Sequence, residues 1–241
     1  MYWRQSRMVN TNKTSFLLVI VVLTLSLTAL SDTSGAPNSK EIDRVEKAVE
    51  AFREMMNIPE EGIPESLLNR AEAIAVIPGF WKAAWGLGGR HGKGVILVKH
   101  DNGGWSYPAF ISMTGGSLGF QIGVQRADII LVFKNRRSVK TIGEGKFTLG
   151  ADAGVAAGPV GRKAEANTDI KFEAEIYSYS KSKGLFAGVS IEGAVLSMDR
   201  DANAKFYRDF DLTVNDILTK DSIKAPDIAE SLRQTISKFS H

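Results

Sequence analysis

Between residues 73 and 199 the chain is a succession of short apolar or alternating runs broken by glycine, and this pattern constrains the fold more than any other feature. The runs are Ala73–Ile77, Gly94–Lys99, Trp105–Met113, Ser117–Val124, Ile129–Phe133, Lys146–Ala151, Ile170–Tyr179 and Leu185–Met198. Short runs of this kind, bounded by turn residues, are strand signals. Asp101-Asn102-Gly103-Gly104 lies between two of them and reads as a hairpin turn. The chain holds 23 glycines against seven prolines, with no collagen-like period. Such glycines serve local backbone geometry: tight curvature, bulges, or the close approach of one strand to another.

Helical patterns flank this region. In Ser39–Asn57 the apolar residues Ile42, Val45, Val49, Phe52 and Met56 recur at steps of three and four and fall on one helical face. The polar face mixes acidic and basic side chains, which favours packing on the domain over lying in a membrane interface. Pro64 opens a second short helix, expected over Pro64–Glu72. Ala202–Phe210 and Val214–Leu218 read as helical. So does Asp227–Phe239, with Ile228, Leu232, Ile236 and Phe239 on one face. Helices, then many strands, then helices predict an α+β fold. Its centre is a Gly-rich antiparallel sheet or partly closed β-barrel, flanked by N-terminal and C-terminal amphipathic helices.

Arg4, Arg7 and Lys13 precede an apolar run, Phe16–Leu30, and small residues follow it. This has the three regions of a secretory signal, with the cleavage boundary after residue 31 or residue 36. An uncleaved membrane anchor and a buried core helix are the alternative readings, although the run is short of the roughly 20 residues a span needs. The expected location is therefore exported: periplasmic, envelope-associated or secreted. The leader also accounts for the excess positive charge, because residues beyond 31 carry 27 basic and 27 acidic side chains. A balanced domain gives no bulk attraction to nucleic acid. The chain has no cysteine. That excludes disulfides, thiolate metal sites and cysteine nucleophiles.

Catalytic and metal-binding patterns are missing. The three histidines, His91, His100 and His241, show no ligand spacing, and His91 in Arg90-His91-Gly92-Lys93 is expected in an exposed turn. Asp199-Arg200-Asp201-Ala202-Asn203 opens like a calcium loop, but Ala204 and Phe210 stand where glycine and glutamate are needed, so it reads as a helix start. Gly154–Lys163 is glycine-rich without the spacing of a phosphate loop, and Pro159 removes one amide donor. No nucleophile, base and orienting group stand together in sequence, so no enzyme, cofactor or metal is expected.

Local basic clusters remain. Lys134, Arg136, Arg137, Lys140 and Lys146 fall within 13 residues, opposed only by Glu144, and flank an expected turn at Asn135. Arg162 with Lys163 and Lys82 with Arg90 and Lys93 form others. Basic residues beside apolar ones on loop tips suit an anionic membrane surface, whereas ordinary solvated loops guarding sheet edges would show the same pattern. Arg136, Arg137, Lys140, Arg162, Lys163, Lys134 and Lys82 are the candidate headgroup contacts. Trp81 and Trp85 are candidates for interfacial insertion wherever they are exposed.

Several blocks then carry a resemblance. They are AVIPGFWKAAWGLGGRHGKGVILVK from Ala75, WSYPAFISMTGGSLGFQIGVQ from Trp105, LGADAGVAAGPVGRKAEA from Leu149 and YSYSKSKGLFAGVSIEG from Tyr177, followed by Asn203 and Phe206-Tyr207. Together they resemble the SYLF family, also known as the actin-binding domain of yeast endocytic adaptors, from about Glu41 to Leu218. The resemblance implies a domain over 39–218, with 219–241 as a C-terminal helix packed on it or appended to it. It also implies binding to anionic phospholipids. Eukaryotic members bind phosphoinositides and other anionic lipids, some bind or bundle actin, and most carry an SH3 or FYVE domain as well. With a leader instead, this chain resembles the stand-alone bacterial members. The expected partners are anionic phospholipids or a membrane surface. The alternative is a protein-interaction module with an actin-like or envelope partner, and no nucleic acid.

Overall fold

The computed structural model describes residues 39–58, 62–159, 173–182, 185–186 and 190–240, with the side chains of 84–87, 117–122 and 185–186 excepted. The expected leader lies outside the described residues. Asn38–His241 form one compact unit.

The elements in chain order are α1 (Ser39–Met56), α2 (Glu65–Asn69), β1 (Ala73–Val98), β2 (Ala109–Phe133), α3 (Arg136–Glu144), β3 (Lys146–Thr148), β4 (Val155–Ala157), β5 (Ile176–Ser182), β6 (Leu185–Phe186), β7 (Val195–Met198), α4 (Arg200–Tyr207), α5 (Val214–Thr219) and α6 (Asp227–Ser237). The fold is α+β, as the sequence predicts: a curled, partly closed sheet with helices at both ends. β2 is central. It pairs with β1 along most of its length, with β7 through Ile111–Thr114 and with β5 through Asp128–Phe133. β3 continues beyond β7 and β4 beyond β5. The β4–β5 pair is parallel, a departure from the all-antiparallel expectation.

The main difference from the sequence reading is continuity. Five separate runs become two strands of 26 and 25 residues, and the glycines between them bend the ribbon without ending it. Gly79, with φ +59°, takes the bulge between Ile77 and Phe80, where its N–H donates to Asp128 Oδ1 at 2.7 Å. Further along, β1 meets itself. In a straight strand Val76 and Gly94 would stand about 60 Å apart, yet a Cβ placed on Gly94 would lie 2.1 Å from the Val76 carbonyl oxygen. Gly92 faces Ile77 and Phe80 in the same way. The ribbon doubles back over its own root, and glycine permits the crossing. The Asp101–Gly104 turn forms as expected, with Gly103 at φ +85° and His100 N–H donating to Gly104 O at 2.7 Å.

Other boundaries shift for local reasons. α2 ends at Asn69, three residues before the expected Glu72, because the sheet claims Glu72: its N–H donates to Phe133 O and its carbonyl accepts from Lys99 N–H. His91 is not in a turn. It lies in β1 opposite Thr114, and its neighbour Arg90 is buried, donating to the carbonyls of Ser190 and Glu192.

The helices close the open face of the sheet. α1 buries Val45, Val49, Phe52 and Met55 against β1 and α6, so its apolar face is occupied by packing. Phe52 meets Phe239 edge-on at 6.0 Å, and Trp105 donates from Nε1 to Ser240 Oγ at 2.8 Å. Asp199 caps α4 through the Ala202 N–H, as the helix-start reading expects. The Asn203 and Phe206-Tyr207 block holds the sheet. Asn203 Oδ1 accepts from Phe110 N–H at 2.8 Å, Phe206 stacks on Phe110 at 4.9 Å, and Tyr207 donates to Pro108 O at 2.7 Å.

Candidate functional site

The segment after β2 was expected to turn at Asn135. Asn135 is instead the N-cap of α3, its side chain accepting from Ser138 N–H at 3.2 Å. Val139 and Ile142 bury one side of this nine-residue helix, and Arg136, Arg137 and Lys140 are exposed. The basic cluster thus sits on a helix and not on a loop tip. α3, the β1–β2 turn and α5 enclose a groove of about 650 Å³, lined by Val98, Val139 and Leu218 among apolar residues and by His100, Arg136 and Lys140 among polar ones.

The cations around the groove divide into committed and presented charges. Arg136 is committed. It donates to Glu72 Oε2 at 2.6 Å and to Lys99 O at 3.0 Å, and pairs with Asp101 at 2.6 Å. The hydrogen bonds to Glu72 and then Asp101 raise its pKa above the usual guanidinium value. It fastens α3 to the hairpin turn and to the start of β1. Lys99 is also held, donating to Asn69 O at 3.1 Å. Lys140 is presented to solvent, 3.8 Å from Glu144 on the same helix. Arg137 is exposed on the first turn of α3. Both arginines stand at the helix N-terminus, the positive end of the dipole, where cations are disfavoured and anions are favoured.

His100, in the groove wall, was not singled out by sequence. Its Nδ1 is 2.7 Å from Asp221 Oδ1 and its Nε2 is 3.0 Å from Leu218 O. In this way the hairpin turn holds the end of α5. α5 itself begins in a capping box between Thr213 and Asp216.

The other expected residues lie elsewhere. Trp81 and Lys82 are in β1, opposite Arg126 and Gln125. Trp81 is 42% exposed, with its ring 6.3 Å from that of His91. Trp85 is in β1 too, but its side chain lies outside the described residues, as do Arg162 and Lys163 altogether. Lys134 begins the link to α3, its N–H donating to Glu175 O at 2.9 Å.

Comparison with known proteins places this architecture. A family model described as Ysc84, Las17-binding protein actin regulator, matches residues 114–239. SH3 domain-containing YSC84-like protein 1 of Rattus norvegicus is 35% identical over 199 residues, covering 80% of this chain and 58% of that protein. LAS seventeen-binding protein 3 of Saccharomyces cerevisiae is 42% identical over 150 residues, covering 61% of this chain and 32% of that protein. The chain spans less than two thirds of the length of these relatives. The matched residues take in β7, α4, α5 and α6 with most of β2 and all of α3, so the basic helix and the α5 wall of the groove fall in the matched region, while the Val98–Asn102 wall precedes it. The chain belongs to the Ysc84 family, the family of SYLF domains.

Proposed function

We propose that this chain is a non-enzymatic binding domain that meets the headgroups of anionic phospholipids through the exposed face of α3. The observation that carries the reading is the charge at the start of that helix. Arg136 and Arg137 reinforce the positive end of the dipole, and Lys140 follows one turn later on an exposed surface. Arg136 is tied to Glu72 and Asp101, so Arg137 and Lys140 are the primary headgroup contacts and Arg136 positions the helix that bears them. Each cation near an anionic surface contributes about 1 kcal/mol. Such binding is screened by salt over roughly 10 Å at moderate ionic strength.

The test is co-sedimentation with vesicles of phosphatidylcholine alone or mixed equally with phosphatidylglycerol, at low and high salt. The protein is residues 38–241, the compact unit that holds every element described. Binding to the mixed vesicles alone, weakened by salt, is expected. Binding to neither sinks the proposal. A second reading has its own support: the groove has apolar walls, and the family description and the yeast relative's name both refer to binding a protein. In that case the groove seats a segment of a protein partner, and binding persists without lipid.

A further inference from the structure

Phe210, in the short link between α4 and α5, is 85% exposed. The backbone on both sides of it is fixed. Arg208 ends α4 in the left-handed region, at φ +54°, and is the one non-glycine residue of positive φ among the described residues. Such a residue keeps that conformation only where its surroundings impose it. Asp209 N–H donates to Ala204 O at 3.2 Å. Asp209 Oδ1 accepts from the N–H groups of Asp211 at 2.9 Å and Leu212 at 3.1 Å. Leu212 packs against the core, and Thr213 caps α5. The turn thus presents Phe210 to solvent already ordered, which lowers the entropy lost when it binds.

A single exposed apolar residue is ordinary on a protein surface. Phe210 differs because a socket lies close to it along the chain. Val214, four residues further on, lines the groove beside α3 together with Val98, Val139 and Leu218. At about 650 Å³ the groove has the size of a binding pocket, with room for a phenyl ring and the turn that carries it. Charge narrows the choice of occupant. Asp209 and Asp211 flank Phe210 and are exposed, and two carboxylates there oppose entry into an anionic bilayer. Around the groove, Asp101 and Asp221 are held by Arg136 and His100, and Glu144 is 3.8 Å from Lys140. Arg137, beside the groove, and Asp211, beside Phe210, have no ion-pair partner among the described residues. Knob and socket therefore complement each other in charge as well as in polarity.

We propose that two copies of this chain pair about a two-fold axis, the Phe210 of each seated in the groove of the other. A two-fold pair brings together the same surface patch of both copies, so knob and socket must lie near one another. The four residues between Phe210 and Val214 meet that condition. An aromatic anchor in a preformed pocket is the kind of contact that carries most of an interface's energy. The pair covers Arg137, so a paired copy withholds that face of α3 from lipid. The proposal stands without the lipid reading, because it rests on the groove and on Phe210.

The test is sedimentation velocity of residues 38–241 in the absence of lipid. A small interface associates weakly, so concentrations run up to about 1 mM. The wild type is expected to pass from monomer to dimer over that range. Phe210→Ser removes the knob at an exposed position. Gly143→Leu fills the socket, since Gly143 lines the groove and a Cβ on it meets nothing within 4 Å. Each variant is expected to melt like the wild type and to associate about tenfold more weakly. Mixed in equal amounts, the two regain part of the association, because the mixed pair keeps one intact knob in one intact socket. A wild type that stays monomeric, a dimer that survives Phe210→Ser, or a mixture no better than its parts overturns the proposal. On anionic vesicles Phe210→Ser is expected to bind as well as the wild type or better. A loss of vesicle binding would mean that Phe210 meets the bilayer and not a second copy.

Discussion

Gly94→Ala probes the self-crossing of β1, on which the curl of the sheet depends. The added Cβ would stand 2.1 Å from Val76 O, 2.8 Å from Ile77 Cα and 2.9 Å from Val76 C. All three are backbone atoms, fixed in register with Ile129 and Ile130 across the ribbon, so no rotamer change relieves the overlap. The two arms of β1 must separate by more than 1 Å, judged against an ordinary contact of about 3.5–4.0 Å. Inserting a methyl group into a packed core costs typically 1–3 kcal/mol, and this rigid site stands at the upper end, about 3 kcal/mol. For a unit of this size that corresponds to a fall in Tm of roughly 6–12 °C. Gly92→Ala meets mainly side-chain atoms of Ile77 and Phe80, at 2.6 and 2.8 Å, which can give way. Its cost is about 1–2 kcal/mol. Gly116→Ala meets nothing within 4 Å and lacks a positive φ, so it leaves Tm unchanged or raises it slightly. Thermal melts followed by circular dichroism give the order. If Gly94→Ala melts with Gly116→Ala, β1 does not cross itself and the partly closed sheet is wrong.

Asp199 joins three elements: it accepts from Lys93 at 2.9 Å, approaches Arg44 at 3.5 Å and caps α4. Burial would raise its pKa. The Lys93 hydrogen bond, the Ala202 N–H and the charges of Lys93 and Arg44 outweigh that, and the net value is below the usual one. Its stabilisation is therefore complete above the unfolded carboxyl value of about 3.9 and is lost as pH falls through the lower folded value. Asp199→Asn is expected to cost about 2 kcal/mol in urea melts at neutral pH, with the gap closing in acid; a gap independent of pH refutes the ionic role. Asn203→Ala leaves the buried Phe110 N–H without its acceptor and costs about 1–3 kcal/mol. A change near zero in the same melts would mean that another group, or water, replaces the amide. Arg136→Ala removes an exposed anchor and costs no more than about 1 kcal/mol. A larger loss of Tm would show that α3 depends on that residue for its docking.

The fold was legible where the signal is local. Period and turn chemistry give the helices at both ends, the Asp101–Gly104 turn and the strand texture between them. Glycine misled at the next level: Gly79, Gly92 and Gly94 look like strand ends, but their purpose is the approach of Val76 to Gly94, which is set by contacts 18 residues apart. α3 was missed because Arg136–Glu144 is short, contains Gly143 and buries only Ser138, Val139 and Ile142. Asn135 three residues before Ser138 was its one available signal. The groove has no sequence signature at all, since its lining comes from 98–102, 136–144 and 214–221. The basic residues themselves were legible, whereas their roles were not. Which arginine is spent on Glu72 and Asp101 and which is presented to solvent is decided only by the tertiary placement of α3.

The central claim is that the face of α3 binds anionic lipid through Arg137 and Lys140. The most direct measurement is the partition coefficient of residues 38–241 on equal phosphatidylcholine–phosphatidylglycerol vesicles, for the wild type and for the Arg137→Ala/Lys140→Ala double variant. Two lost contacts at about 1 kcal/mol each predict a roughly 30-fold weaker partition, with a shallower salt dependence and an unchanged melt. Equal partition of the two proteins, with the wild type bound, would contradict the claim and place the lipid-binding surface elsewhere on the domain.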